Sequence, residues 1–228
     1  MSGPDLLEAG IYTVAQAAYL IGASERRVRG WIAGYPGRSV EPLVENELGW
    51  SSGRLALSFR NLLELRFIAL FEENKVSINH IRAIMDEVRT ITKHPHPFAT
   101  NIVFRTDQRR IVGEITERIS GKKIYDLKKK NFELFEVVYR TLKDDVVFDF
   151  NGNAQYWRPR KDIAPNVIVH PKFSFGLPIL RDSKVPTQTL ADAVAVEKSA
   201  TVVAELFELP VRQVREAVRF ETELRKAA

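Results

Sequence analysis

Tyr12-Thr13-Val14-Ala15-Gln16-Ala17-Ala18-Tyr19-Leu20-Ile21-Gly22-Ala23-Ser24-Glu25-Arg26-Arg27-Val28-Arg29-Gly30-Trp31-Ile32 is the stretch on which the fold turns. Thr13 can cap a helix over Val14–Ile21, because its hydroxyl can accept from the orphaned amides of the first turn. Gly22 stops that helix, and Ser24 is placed to cap a second one over Glu25–Ala33. Two helices that cross steeply leave no room for bulk where they touch. A helix-turn-helix therefore needs a small residue in its first helix, a glycine where the turn takes a positive φ, and an apolar residue beyond. Ala18, Gly22 and Val28 fall at those offsets, and Ala17, Ile21, Trp31 and Ile32 complete an apolar core. Such a motif puts the first turn of its second helix into the major groove of DNA. The candidate DNA-binding residues there are Ser24, Glu25, Arg26, Arg27 and Arg29, with Thr13 at the head of the first helix. Arginine can pair bidentately with guanine or hold a phosphate without reading sequence. Arg26 and Arg27 are the first choice for bases or adjacent phosphates, with Arg29 a weaker third. Gly30 is exposed on this reading unless the core claims it, and Trp31 reads as core.

Outward from this motif, Gly34, Pro36, Gly37, Gly49 and Gly53 confine the next segment to short strands and turns, a wing on which Arg38 and Arg54 would contact the DNA backbone. A helix from Ser58 carries Leu62, Leu63, Leu65, Phe67, Ile68, Leu70 and Phe71, too many for one stripe, which implies burial on more than one side. Ser77 opens another helix with Ile78, Ile81, Ile84, Met85 and Val88 at three- and four-residue spacing. His94-Pro95-His96-Pro97 breaks it and marks a first boundary. Strand-like Asn101–Phe104 and Arg110–Ile115, the run Lys128-Lys129-Lys130, a helix near Phe132–Leu142 and a hairpin turning at Asn151-Gly152-Asn153 make a small α+β module. Beyond Lys161, a strand at Val167–Val169 precedes helices over Thr187–Val196, Ser199–Phe207 and Val211–Leu224. The last two form a second helix-turn-helix-like pattern with Ala204, Leu206, Val214 and Val218 as its core. The fold class expected is α+β, mainly α with small β elements. Three consecutive domains are expected: a winged helix-turn-helix over 1–93, a middle module over 94–160 and a helical domain over 161–228.

Composition narrows the function. Among 228 residues there is no cysteine, which excludes disulfides, thiolate metal sites and cysteine nucleophiles. No apolar run is long enough to cross a bilayer, and the first residues lack the form of a signal peptide, so a cytoplasmic protein with no membrane partner is expected. The net charge of +5 is slight. Residues 1–60 hold six Lys/Arg against six Asp/Glu, so DNA binding would rest on local arginine clusters rather than bulk charge. His94 and His96 read as loop residues rather than metal ligands, and Asp144, Asp145 and Asp149 as solvated loop charges. No phosphate-cradling loop and no nucleophile–base arrangement is present, so no catalytic residue, metal or cofactor is expected and the chain is not read as an enzyme.

Tyr12–Ser24 with Val28-Arg29-Gly30-Trp31, then Phe59–Leu65 and Val76–Arg82, resemble the winged helix of MerR-type regulators. The resemblance breaks after that, because the long dimerising helix of such regulators is replaced by the middle module. Val167-Ile168-Val169-His170-Pro171, Phe175-Gly176-Leu177-Pro178-Ile179, Val185-Pro186-Thr187 and Leu209-Pro210-Val211 leading to Val214 and Ala217 are similar to the DUF433 family of small helical domains. Arg181-Asp182-Ser183-Lys184 departs from the glycine-containing turn of that family. A MerR-like head on a DUF433 tail resembles VapB-type antitoxins. What the resemblance implies is a type II toxin–antitoxin partner: a dimer, or a higher hetero-oligomer with its toxin, that represses its own operon through double-stranded operator DNA and neutralises a PIN-domain ribonuclease. The terminal segment Phe220–Ala228, with Arg225 and Lys226, is a candidate arm for toxin contact or equally a frayed helix end. Two other readings stand beside it: a stand-alone MerR-like transcription regulator that binds a small ligand, and a protein-interaction adaptor.

Overall fold

The computed structural model describes residues 10–35, 41–51, 53–101 and 144–227. Among these residues the architecture is α+β and mainly α, with seven α-helices, a two-stranded hairpin and a small four-stranded antiparallel sheet. In chain order the elements are α1 (Val14–Ile21), α2 (Glu25–Ala33), β1 (Trp50–Ser51), β2 (Arg54–Leu55), α3 (Phe59–Glu73), α4 (Ile78–Thr92), β3 (Val146–Phe148), β4 (Ala154–Trp157), β5 (Val167–Val169), β6 (Pro178–Leu180), α5 (Thr187–Glu197), α6 (Ala200–Leu206) and α7 (Val211–Ala227). No helix among the described residues is long and apolar enough to cross a membrane. The first expected hairpin, the lysine run and the helix near Phe132–Leu142 fall within 102–143, outside the described residues.

The chain forms two compact units, and neither is continuous in sequence. Met1–Glu25, Leu48–Phe59 and Gln155–Ala228 make one, and Arg26–Glu47 with Arg60–Ala154 the other. This differs from the three consecutive domains expected from sequence. In the first unit the cause is a short extended segment at Ile11–Tyr12 that later parts of the chain hold. The Ile11 N–H donates to the Phe175 carbonyl at 2.9 Å, and Tyr12 exchanges two backbone bonds with Leu57 at 2.9 and 3.0 Å. The Tyr12 ring is fully buried and lies against Gly176, where a Cβ would meet the Tyr12 hydroxyl at 2.3 Å and the Gly10 backbone at 3.1 Å. Gly176 also has φ +87°, so glycine is required there twice over, for conformation and for room. On α1, Tyr19 donates to the Phe220 carbonyl of α7 at 3.2 Å and meets the Phe220 ring edge-on.

The same unit holds β5 and β6, paired antiparallel with Ile168 opposite Ile179, and all three residues of β5 are buried. The three C-terminal helices pack on one another around Leu190, Val203, Val214, Ala217 and Phe220. Ser199 caps α6, its hydroxyl accepting from the Val202 N–H. Ala204 and Val214 are core as expected, but Leu206 is 65% exposed and Val218 only half-buried. Leu206 is the last residue of α6, where the Leu209 N–H closes the turn onto the Ala204 carbonyl.

In the second unit α3 is buried on more than one side, with Leu62, Leu63, Leu65 and Phe71 at 0% exposure, as its apolar density implies. The segment His94–Thr100 is not a boundary. Phe98 stacks on Phe67 with ring centroids 3.5 Å apart, and His96 is buried with its Nδ1 2.9 Å from the Glu64 carboxylate. Burial opposes a charge on His96, but Glu64 and Glu47 outweigh it and hold its pKa above the usual histidine value. His96 is thus a core residue in an ion-pair network, not a loop residue. The Asn151-Gly152-Asn153 turn forms as expected. Asp149 accepts from the Asn153 N–H at 2.8 Å, so this aspartate shapes the turn rather than standing free in solvent.

Candidate nucleic-acid interface

The first half of the motif lies in the first unit and is built as its residues dictate. Thr13 and Gln16 form a reciprocal capping box: the Thr13 hydroxyl accepts from the Gln16 N–H, and the Gln16 side chain accepts from the Thr13 N–H at 2.9 Å. Thr13 is therefore a helix-capping residue whatever else it touches. Gly22 takes φ 74°, and its N–H and that of Ala23 close the turn on the Ala18 and Tyr19 carbonyls. Ala17, Ala18 and Ile21 are buried, whereas Ser24 and Glu25, directly after the turn, are exposed. Glu25 sits in the first turn of α2, where its negative charge suits the helix dipole. The wing is the β1–β2 hairpin of the same unit, with Ser51 opposite Arg54 and Trp50 opposite Leu55. Arg54 is exposed at its tip, and Trp50 is 62% exposed, an aromatic that the sequence reading passed over.

In the second unit, α2 buries Val28, Trp31 and Ile32 and exposes Arg26, Arg27 and Arg29. Gly30 is also buried: a Cβ there would meet the Tyr35 ring at 2.1 Å, so this glycine serves close packing and is unavailable to a groove. The segment after α2 is held down by arginines of α4. Arg82 donates to the Glu41 and Pro42 carbonyls at 2.6 and 3.2 Å, and Arg89 to the Leu43 carbonyl at 2.8 Å. Leu43 and Val44 in turn donate to the Trp31 carbonyl, which fixes the C-terminal end of α2.

This geometry reorders the three arginines. Arg27 pairs with Glu72 of α3 at 3.4 Å. Arg26 and Arg29 are three residues apart, hence neighbours on one helical face, and among the described residues neither has an ion-pair partner. Sequence ranked Arg26 with Arg27 first; the structure adds that Arg26 and Arg29 share a face. Arg27 remains 61% exposed, and an exposed ion pair is worth at most ~1 kcal/mol, so a phosphate could recruit it. Arg38 lies outside the described residues.

The expected toxin-contact arm is not a loose tail. The α7 helix is continuous to Ala227, and Phe220 and Glu221 on it are buried. Arg225 pairs with Asp192 at 3.1 Å and Lys226 with Glu223 at 2.8 Å, all four exposed or half-exposed. No family model matches this chain, and no curated protein matches it. Among solved structures it is similar to the X-ray crystal structure of Rv2018 from Mycobacterium tuberculosis, with a TM-score of 0.74 and 20% identity. The likeness covers 91% of this chain and 96% of that one, and at this identity what it shows is the fold.

Proposed function

We propose that the chain is a DNA-binding antitoxin that represses its own operon and neutralises a PIN-domain ribonuclease. The observation that carries the DNA half is the pair Arg26 and Arg29, exposed on the helix that follows the left-handed Gly22 turn. Exposed cations in the first turns of such a helix are what major-groove reading requires. The toxin half rests on the resemblance of both ends of the sequence to VapB-type antitoxins. A dimer is expected because one motif covers few bases, and two half-sites one helical turn apart multiply affinity. Val196, Val202 and Leu206, exposed on α5 and α6, supply apolar surface suited to contact with a second copy or a toxin.

Two experiments test the halves separately. Titration of the chain's own promoter region should show tight binding that weakens steeply with salt and is lost in the double variant R26A/R29A. Co-expression with the product of a neighbouring reading frame that encodes a four-carboxylate nuclease should give a co-purifying complex and relieve its toxicity. A chain that binds promoter DNA but neither co-purifies with nor protects against that product is a regulator and not an antitoxin.

A further inference from the structure

The first unit contains a cavity of about 310 Å³, at the small end of the ligand-pocket range of about 300–1,000 Å³. Its walls are mostly apolar, formed by Ala15, Tyr19 and Leu20 of α1 together with Leu177, Pro186 and Leu224. Its polar groups are Gln16, Thr187, Gln188, Glu221 and Arg225. What these groups have left to offer a ligand can be counted.

The Gln16 side-chain oxygen is spent on the capping box, so its free atoms are the amide donors. Thr187 has one hydroxyl hydrogen but two oxygens within reach, the Pro178 carbonyl at 3.2 Å and the Glu221 carboxyl. If that hydrogen goes to the carbonyl, which can only accept, the second bond needs a protonated Glu221 that donates to Thr187. Burial raises the Glu221 pKa and favours that neutral form. Arg225 spends one nitrogen on Asp192, in an exposed pair that yields at little cost. An apolar chamber with the Gln16 amide donors and one guanidinium at its wall suits an anion with an apolar body.

We propose that this cavity binds a small aromatic carboxylate, with the ring among the apolar walls and the carboxylate on Arg225 and the Gln16 amide. The proposal stands on the first unit alone and is read by ligand binding, so it succeeds or fails independently of the DNA-binding reading. The test is calorimetric titration of the full chain with benzoate, phenylacetate and, as the opposite charge on the same scaffold, benzylamine. Both carboxylates should bind, and benzylamine should bind at least about ten-fold more weakly, the factor expected from one charge-assisted contact. R225A should weaken the carboxylates by about ten-fold, whereas E221Q, which cannot carry a negative charge, should not weaken them. A15W, at an exposed helix position on the cavity wall, should abolish binding while circular dichroism and the melting temperature stay as in the wild type. Three results would overturn the proposal: no carboxylate binding up to about 10 mM, preference for benzylamine that E221Q removes, or carboxylate binding undiminished by A15W.

Discussion

Replacing His170 by asparagine should flatten the loss of stability on mild acidification. His170 is buried at the end of β5, and its Nδ1 accepts from the Lys172 N–H at 3.2 Å, a bond that only an unprotonated nitrogen can make. Its ring lies edge-on to Phe173 with centroids 4.6 Å apart. Burial, followed by the charges of Lys184 and Lys172, lowers its pKa from 6.5 to about 4. A group whose folded pKa is depressed stabilises the fold above its unfolded pKa, and the effect is lost as pH falls toward the folded value. The window is therefore pH 6.5 down to about 4. At 1.36 kcal/mol per pKa unit, the loss between pH 7.5 and 4.5 has a ceiling of about 2.5 kcal/mol. Relaxation and water penetration around a protonated ring bring the expected value to about half of that. The assay is urea denaturation of wild type and H170N at both pH values. The asparagine oxygen can keep accepting from the Lys172 N–H but cannot titrate. Carboxylate effects are common to both chains, so the difference in their acid losses isolates the histidine. A difference of about 1 kcal/mol, with the wild type losing more, is expected. Equal losses would refute the reasoning, as would a larger loss in H170N.

His96 should behave in the opposite sense. Its pKa is raised by Glu64 and Glu47 against the cost of burial, so its contribution is complete below about pH 6.5 and declines as pH rises through the folded value. The stability difference between wild type and H96Q should therefore shrink on alkalinisation, which denaturation at pH 6 and 9 would measure. E64A should cost about 3–5 kcal/mol, because it removes the nearer carboxylate from a buried imidazole and leaves only Glu47 beside it; a loss under about 1 kcal/mol would contradict the network. G176A should destabilise by at least about 2 kcal/mol, from a positive φ and a Cβ driven into Tyr12. A melting temperature unchanged from the wild type would contradict that packing.

What the sequence disclosed was what local physics governs. The helix cap at Thr13, the left-handed turn at Gly22, the burial of α3 and the hairpin at Gly152 each depend on residues a few positions apart, and each forms where the pattern puts it. What it hid depends on distant partners. Gly30 gives no sign in a helical pattern that Tyr35 folds back over it. Arg27 looks equivalent to its neighbours until α3 brings Glu72 alongside. Gly176 and Tyr12 are far apart in the chain, and their contact helps join the segment around Tyr12 to the C-terminal part of its unit. His96 was open to inspection through Glu64, a carboxylate in the middle of an apolar helix, since such a charge needs a partner.

The central claim is tested most directly by fluorescence anisotropy on a labelled fragment of the chain's own promoter, comparing wild type, R27A and R26A/R29A at one salt concentration. If the Arg26 and Arg29 face reads the groove, the double variant should lose about 2–5 kcal/mol, roughly thirty-fold or more, and R27A much less. Equal affinity of the double variant and the wild type would contradict the account, as would a loss confined to R27A.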